Sequence, residues 1–248
     1  MCAALSARLL CSLTACGKTE EPARQDIFAM DTYMSLVAYG EDGQEALAAA
    51  AREINRLEQE LSRTVSTSYI YKLNENGSAA VSEETANLLK AAMDYSAATG
   101  GLFDMTVAPL VSLWGITTDS PRVPSRSEID ALLPLVGSGH VHLDGQTVTL
   151  DAGCAVDLGG IAKGYASDRV AQVLKQYAVT GAAVSLGGNV YVCGQKPDGT
   201  AWSVAVQDPK KTDAYAMTLD LTDVFAVTSG GYQRYFTDSD GTVYQHIL

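Results

Sequence analysis

The sequence predicts an α+β fold, a single domain in which helices pack on mixed and antiparallel sheets. Three observations lead there. The chain has 248 residues, 47% hydrophobic and 19% charged, enough apolar material for one large core. Apolar residues recur at helical spacing through most of the first half and alternate at strand spacing through the second. The two patterns are segregated along the chain instead of interleaved as repeating βαβ units, which disfavours a doubly wound or barrel fold.

Each element has a local reason. Residues from Gln25 to Gly40 alternate as one strand, with Tyr33, Ser35 and Val37 on one face and Met34, Leu36 and Ala38 on the other. Gln44 to Leu61 reads as an amphipathic helix, because Leu47, Ala50, Ile54, Leu57 and Leu61 form one stripe with charges between them. Glu83 to Ala98 is a second helix, capped by Ser82 and stopped by Gly100-Gly101. A shorter helix follows Ser125, where Ser125 and Glu128 have capping-box spacing. Thr147 to Leu150 is a short strand, and Gly160 to Tyr177 a fourth helix. Ala182 to Val192 is a strand interrupted at Gly187-Gly188, with Trp202 to Gln207 its hairpin partner across the turn at Lys196-Pro197-Asp198-Gly199. Met217 to Leu221, Val224 to Val227, Tyr232 to Phe236 and Val243 to Leu248 complete the strands.

The N-terminus has the form of a targeting segment. Residues 1–15 read as a lipoprotein signal peptide. Their apolar run is too short to span a membrane, and Leu13-Thr14-Ala15-Cys16 places a lipidatable cysteine at the cleavage site. Residues 16–25 read as a tether and 26–248 as the functional domain. The expected location is the extracytoplasmic face of a bacterial membrane, anchored through Cys16. A net charge of −12 excludes a nucleic-acid-binding face and requires any anionic ligand to be held by local donors or a metal. Cys154 and Cys193 lie in apolar strand-like contexts, either bridged or as two buried thiols, and no CxxC or Cys/His cluster suggests zinc.

The most informative segment is Val156 to Asp168. An acidic residue, Asp157, leaves a strand; Gly159-Gly160 follow; a helix then opens with Lys163 in its first turn. Exposed helix N–H groups, the helix dipole and a lysine suit a phosphate. Asp157 and the carbonyls around Gly160 suit a hard cation such as Mg²⁺. The spacing is neither GxGxxG nor a P-loop, and a plain strand-to-helix turn with a solvated lysine satisfies the same letters. Gly100 to Asp104 presents Phe103 and Asp104, either as a base-binding ring and carboxylate or as a helix stop followed by a core aromatic. Gly187-Gly188 marks a bulge or a close backbone approach by a ligand. His246 is a lone strand histidine, either simply packed or exposed, or an acid/base group.

Taken in order, these stretches resemble the FAD:protein FMN transferases, the ApbE family. The matching segments are Met30-Asp31-Thr32, Leu61-Ser62 through Ser68 to Leu73-Asn74, Gly101 to Asp104 with Trp114-Gly115, Asp157 to Asp168, Ser185 to Asn189, Trp202 to Pro209, Thr228 to Phe236 and His246-Ile247. The resemblance implies Mg²⁺-dependent transfer of FMN from FAD to a Thr or Ser hydroxyl of a target protein, with release of AMP. The implied target is a flavoprotein subunit of a membrane redox complex. It implies FAD contacts at Met30, Leu102, Phe103, Asp104, Asp157, Lys163 and Leu248, a Mg²⁺-binding carbonyl at Gly160, and His246 as acid/base. The alternative is an FAD-binding or FAD-pyrophosphatase lipoprotein without protein transfer activity. Two departures from the family pattern stand out. Thr64 takes the place of an aromatic residue that stacks on the flavin, with Tyr69 and Tyr71 nearby. The chain also stops at Leu248, ahead of the family's Asp-Pro-x-Thr-Gly continuation and a later Asp and Thr that complete its metal site. The expectation is therefore a domain incomplete at its C-terminus, with half of a metal site and little activity.

Overall fold

The computed structural model describes residues 21–211, 213–231 and 234–247. Cys16, Tyr232 and Leu248 lie outside the described residues, as does the signal segment. The centre is a five-stranded antiparallel sheet in the order β1-β2-β6-β7-β10. Its strands are β1 (Ala23–Ala29), β2 (Thr32–Tyr39), β6 (Gly181–Leu186), β7 (Asn189–Gly194) and β10 (Val224–Val227). The expected single strand from Gln25 to Gly40 is a hairpin. Met30 (φ 48°) and Asp31 (φ 62°) both take left-handed backbone, forming the two-residue turn that suits strand twist, although neither residue is glycine. Alternation could not reveal this, since a two-residue turn leaves the period-2 pattern in phase on both sides.

Two helices cover the sheet. In α1 (Gly43–Leu61) the stripe Leu47, Ala50, Ile54, Leu57 and Leu61 is buried, as is α6 (Ala162–Leu174) at Ala166, Val170, Ala171 and Leu174. Opposite them, Met34, Leu36 and Ala38 pair in register with Leu186, Val184 and Ala182, so one sheet face supplies a continuous apolar layer. α6 is shorter than the expected Gly160–Tyr177 helix. It starts after the Gly159-Gly160 turn and frays into turns past Lys175. Between these elements lie α2 (Tyr69–Asn76), α3 (Glu83–Ala98), α4 (Ala108–Trp114), α5 (Arg126–Leu132) and a small antiparallel sheet of β3 (Ser78–Ala80), β5 (Thr147–Leu150) and β4 (Val141–Asp144).

The Ser82 cap on α3 and the Ser125–Glu128 capping box on α5 are both present. Replacing Ser125 with Ala removes the acceptor for the Glu128 amide, a loss of about 1 kcal/mol. The measured melting temperature should fall by roughly 2–4 °C for a chain of this size.

The other strands depart from expectation in pairing. β8 (Trp202–Gln207) does not return to β7 but pairs with β9 (Tyr215–Leu221) as a separate hairpin. β7 already pairs with β6 and β10 on its two sides. β8 is tied to the main sheet by its Trp202 indole, which donates to the Cys193 carbonyl (3.1 Å) and lies 6.0 Å from the Tyr39 ring. β11 (Tyr235–Thr237) and β12 (Val243–Gln245) form a last hairpin, shorter than the sequence pattern implied. Tyr244 stacks on Phe236 and meets Trp114 at the end of α4 (centroids 5.2 Å), which docks the hairpin against the helical half. Cys154 and Cys193 are both free thiols.

Candidate functional site

The site is built around the loop that delivers Asp157 to α6. Asn74, at the end of α2, clamps the preceding residue through both its backbone groups: its side-chain amide donates to the Val156 carbonyl (2.9 Å) and its Oδ1 accepts from the Val156 amide (2.8 Å). The Asp157 amide donates to the Met105 carbonyl (2.7 Å). Val156 and Leu158 are buried, so Asp157 between them must face the other way. Asn74→Ala leaves two sheltered backbone groups without partners, a loss of about 2 kcal/mol. Denaturant unfolding should show it as a lower midpoint at unchanged slope.

The Asp157 carboxylate is engaged at both oxygens. Oδ1 accepts the Gly159 amide (2.7 Å) and Oδ2 pairs with Arg63 Nε (2.9 Å). The Leu158 carbonyl accepts from the amides of Ile161 (2.9 Å) and Ala162 (2.7 Å), turning the chain into α6. Ile161, at the N-cap, has no side-chain acceptor, so the first-turn amides after that of Ala162 have no side-chain cap. A helix start of this kind attracts an anion. The direction of α6 is set from its far side: Arg169 Nε pairs with Glu53 (3.0 Å) on α1, and the Tyr165 hydroxyl donates to Glu84 (2.6 Å) on α3. Arg56, with Arg169, holds the Glu53 carboxyl down at about 2, so this link persists through the acidic range.

Lys163 is largely desolvated, and that burial, together with nearby Arg234, lowers its pKa, while Asp31 and Asp157 act in the opposite direction. Charges on the β1–β2 turn, the cradle loop and the β10–β11 connection thus all act on this ammonium. Arg234 donates to the Asp31 carbonyl and lies 3.6 Å from its carboxylate. Beside them an open cleft of about 320 Å³ is lined by Asp31, Ile116, Thr117, Thr118, Arg234 and Tyr235. His246 follows β12. Its amide donates to the Arg234 carbonyl (3.0 Å), and its Nδ1 lies 3.3 Å from the same oxygen. A carbonyl only accepts, so this contact puts the proton on Nδ1 and leaves Nε2 as the basic atom.

The Gly187-Gly188 pair is a hairpin turn between β6 and β7, not a bulge within one strand. Both have positive φ, and Leu186 pairs with Asn189 across them. The turn lies against Thr32 of the neighbouring hairpin, and Thr228 donates to the Gly188 carbonyl from its amide (2.9 Å) and its hydroxyl (3.1 Å).

Of the residues named from sequence, the structure brings Phe103, Gly160, Asp157 and Lys163 together. Met30 sits in the β1–β2 turn with its amide donating to Glu58 (2.7 Å) and its side chain against the core. The Phe103 ring lies over Gly160, where a Cβ would come within 3.0 Å of it, so Phe103, Gly160 and the cradle form one surface. Tyr95 meets that ring edge-on. Asp104 is occupied in capping: it accepts from Ser96 (3.1 Å) and from the Thr106 amide (2.8 Å) and hydroxyl (2.5 Å), opening the 3-10 turn Met105–Val107. Leu102 is 94% exposed. Thr64 is exposed and its hydroxyl is within 3.0 Å of Ser62 Oγ; Tyr69 packs against the core. Sequence reasoning did not single out Arg63, the Asp31 carboxylate or Arg234. All three lie inside quoted stretches, but nothing local marks a charge whose partner is remote in sequence.

The residues present do not make a divalent-cation site by themselves. Among the described residues no three His, Cys, Asp or Glu side chains converge in a metal-binding group. The Asp157 carboxylate beside Gly160 is already engaged by an amide and a guanidinium.

Comparison with known proteins gives a consistent result. The ApbE family pattern matches residues 30–248. The chain is 31% identical to a FAD:protein FMN transferase of Vibrio cholerae, over 99% of this chain and 76% of the relative. It is 30% identical to a FAD:protein FMN transferase of Treponema pallidum, over 97% and 73%. Among solved structures, the ApbE protein of Thermotoga maritima superposes with a TM-score of 0.85 at 35% identity, covering 92% of this chain and 76% of that one. The apo flavinyl transferase ApbE of Pseudomonas stutzeri superposes with a TM-score of 0.79 at 28% identity, over 92% and 73%.

Proposed function

The chain belongs to the ApbE family, and on that premise we propose that it transfers FMN from FAD to a Thr or Ser hydroxyl of an acceptor flavoprotein, releasing AMP. The observation that supports this reading most is a helix start without a side-chain cap that carries Lys163 in its first turn, with Arg234 and His246 interacting electrostatically with that lysine and with one another. The helix amides and Lys163 hold the pyrophosphate and stabilise charge that builds on its oxygens. Phe103, lying over Gly160, offers an aromatic face for a ring of FAD. His246 Nε2 takes the proton from the acceptor hydroxyl, whose oxygen attacks the FMN phosphorus. The bond from that phosphorus to the bridging oxygen breaks, and AMP leaves with the bridging oxygen. Mg²⁺ dependence rests on the family resemblance; when bound, the ion would neutralise pyrophosphate charge. Loss of transfer in EDTA and its return with added Mg²⁺ is the expected result.

The deciding experiment incubates the protein with FAD, Mg²⁺ and an acceptor flavin domain. In-gel flavin fluorescence on the acceptor, with AMP in equal amount, is expected. AMP and free FMN without a labelled acceptor would instead indicate FAD hydrolysis and sink the transfer reading.

The pH profile follows from His246. Its burial, together with the charges of Arg234 and Lys163, lowers its pKa below the ordinary 6.5, against the Arg234 backbone contact that raises it. A neutral imidazole is the active base, so the rate should hold through pH 6.5 and fall only at lower pH. Stability has the same sign. The unfolded chain takes up the proton first as pH falls below 6.5, so the fold loses stability in that direction. Initial rates of acceptor labelling from pH 5 to 8 test this, and His246→Gln should abolish the acidic limb along with most of the rate.

The proposal extends to location. A lipid on Cys16 would hold the enzyme on the extracytoplasmic face of the membrane, beside the redox complexes that carry such acceptors. Among the described residues no helix is long and apolar enough to cross a membrane. Cys16→Ser should move the protein from the membrane fraction to the soluble one.

A further inference from the structure

We propose that Arg63 is a positioning residue of the FAD site: it draws the Asp157 carboxylate away from Lys163 and so leaves the ammonium free for the pyrophosphate. The inference rests on the FAD-dependent reading of the cradle. Asp157 interacts with two cations. It is 2.9 Å from Arg63 Nε and close enough to Lys163 to influence it electrostatically. In a chain of net charge −12, a lysine that closes onto a carboxylate would be a poor anion ligand.

Arg63 is well held for this task. Ser62 Oγ accepts from the amides of Thr64 (3.1 Å) and Val65 (3.2 Å), and Ser68 donates to the Ser62 carbonyl, which sets the loop after α1 in one shape. The guanidinium also donates from Nη1 to Ser112 Oγ (3.2 Å) on α4, the helix whose Trp114 carries the hairpin leading to His246. With both ends fixed, the planar guanidinium holds Asp157 in one orientation. The side chains of Arg63 and Asp157 are 24% and 20% exposed, so the pair is sheltered yet open to a ligand. Thr64 is turned back on Ser62, so the loop reaches the cradle through Arg63.

The test measures FAD binding directly, by flavin fluorescence titration, for wild type, R63A, R63K, D157N and the double variant R63A/D157N, with acceptor-labelling rates in parallel. R63A should weaken FAD binding about tenfold, whereas D157N and the double variant should stay within about threefold of wild type, because without the carboxylate nothing closes on Lys163. R63K should recover part of the loss. R63A should raise KM for FAD with kcat within about threefold, and its melting temperature should stay within a few degrees of wild type, as for an ion pair that water still reaches. Wild-type FAD affinity in R63A, or a double variant that binds FAD no better than R63A, would overturn the inference. If the binding series behaves as stated but no form labels an acceptor, the transferase reading fails and the role of Arg63 stands. A wild-type protein that does not bind FAD would overturn both.

Discussion

Replacing Lys163 with Met should lower the rate of acceptor flavinylation by about 10²-fold or more while leaving the fold at least as stable. The two halves of this expectation have different causes. At the transition state, negative charge accumulates on the phosphoryl oxygens in a cradle supplied only with backbone dipoles and a few cations. Removing the cation nearest the helix start takes away a preorganised charge that water cannot replace in the same geometry. Stability moves the other way. Burial and Arg234 lower the Lys163 pKa, so the folded state holds the proton less tightly than the unfolded chain. At pH 7 the charged lysine therefore opposes folding, and an apolar side chain of similar length relieves that opposition. Fluorescence labelling of an acceptor and a thermal melt of the same preparation separate the effects. A variant with full activity would remove Lys163 from the proposed mechanism, and one that melts well below wild type would show that its role is structural.

Gly187→Ala should destabilise the fold strongly, by about 3 kcal/mol. Gly187 has φ +62°, and an added Cβ would fall 2.3 Å from Thr32 Oγ1, 2.7 Å from its Cγ2 and 3.0 Å from its Cβ. Left-handed backbone by itself costs a non-glycine residue about 1 kcal/mol; the rest comes from pushing two hairpin turns apart at the end of the central sheet. Gly199 is the internal control. It has φ +77°, and an added Cβ there would meet nothing within 4 Å, so Gly199→Ala should show only the backbone part. In thermal melts the first substitution should cost roughly 6–12 °C and the second a few degrees. Adding Thr32→Ala to Gly187→Ala removes the two closest atoms and should recover part of the loss. No recovery would mean that contact with Thr32 is not the cause. The β1–β2 and β6–β7 turns frame the candidate site, so the variant should also lose FAD affinity.

Elements bounded by local chemistry were legible in the sequence to within a residue or two. The α1 stripe, the Ser82 cap, the Ser125 capping box, the β5 strand and β10 all depend on neighbours within four positions, and all are present as read. Misreadings arose where two conformations share one pattern. Met30-Asp31 lies in phase with the strands it separates, and Gly187-Gly188 suits a bulge as well as a turn. The partner of β8 could not be read because the turn at Lys196–Gly199 looks like a hairpin turn, whereas the edge of β7 is taken by β10. At the site, Asp157, Gly160 and Lys163 were recognisable because a helix start with glycines and a lysine has a chemical meaning within one segment. Arg63, Asp31 and Arg234 were not, because each acts through a partner far away in sequence.

The sequence by itself determined the α+β class, the main helices with their buried faces, the cradle segment and the family to which the chain belongs. These follow from periodicity, capping and the order of short motifs, all interactions of short range along the chain. Only the tertiary structure decided which strands pair, which charges neutralise one another and which remain for a ligand. Asp104 turned out to cap a 3-10 turn, and Asp157 to pair with Arg63 while acting electrostatically on Lys163. Such outcomes depend on distances between segments tens to hundreds of residues apart, and an electrostatic interaction is governed by separation and burial in space, not by position along the chain.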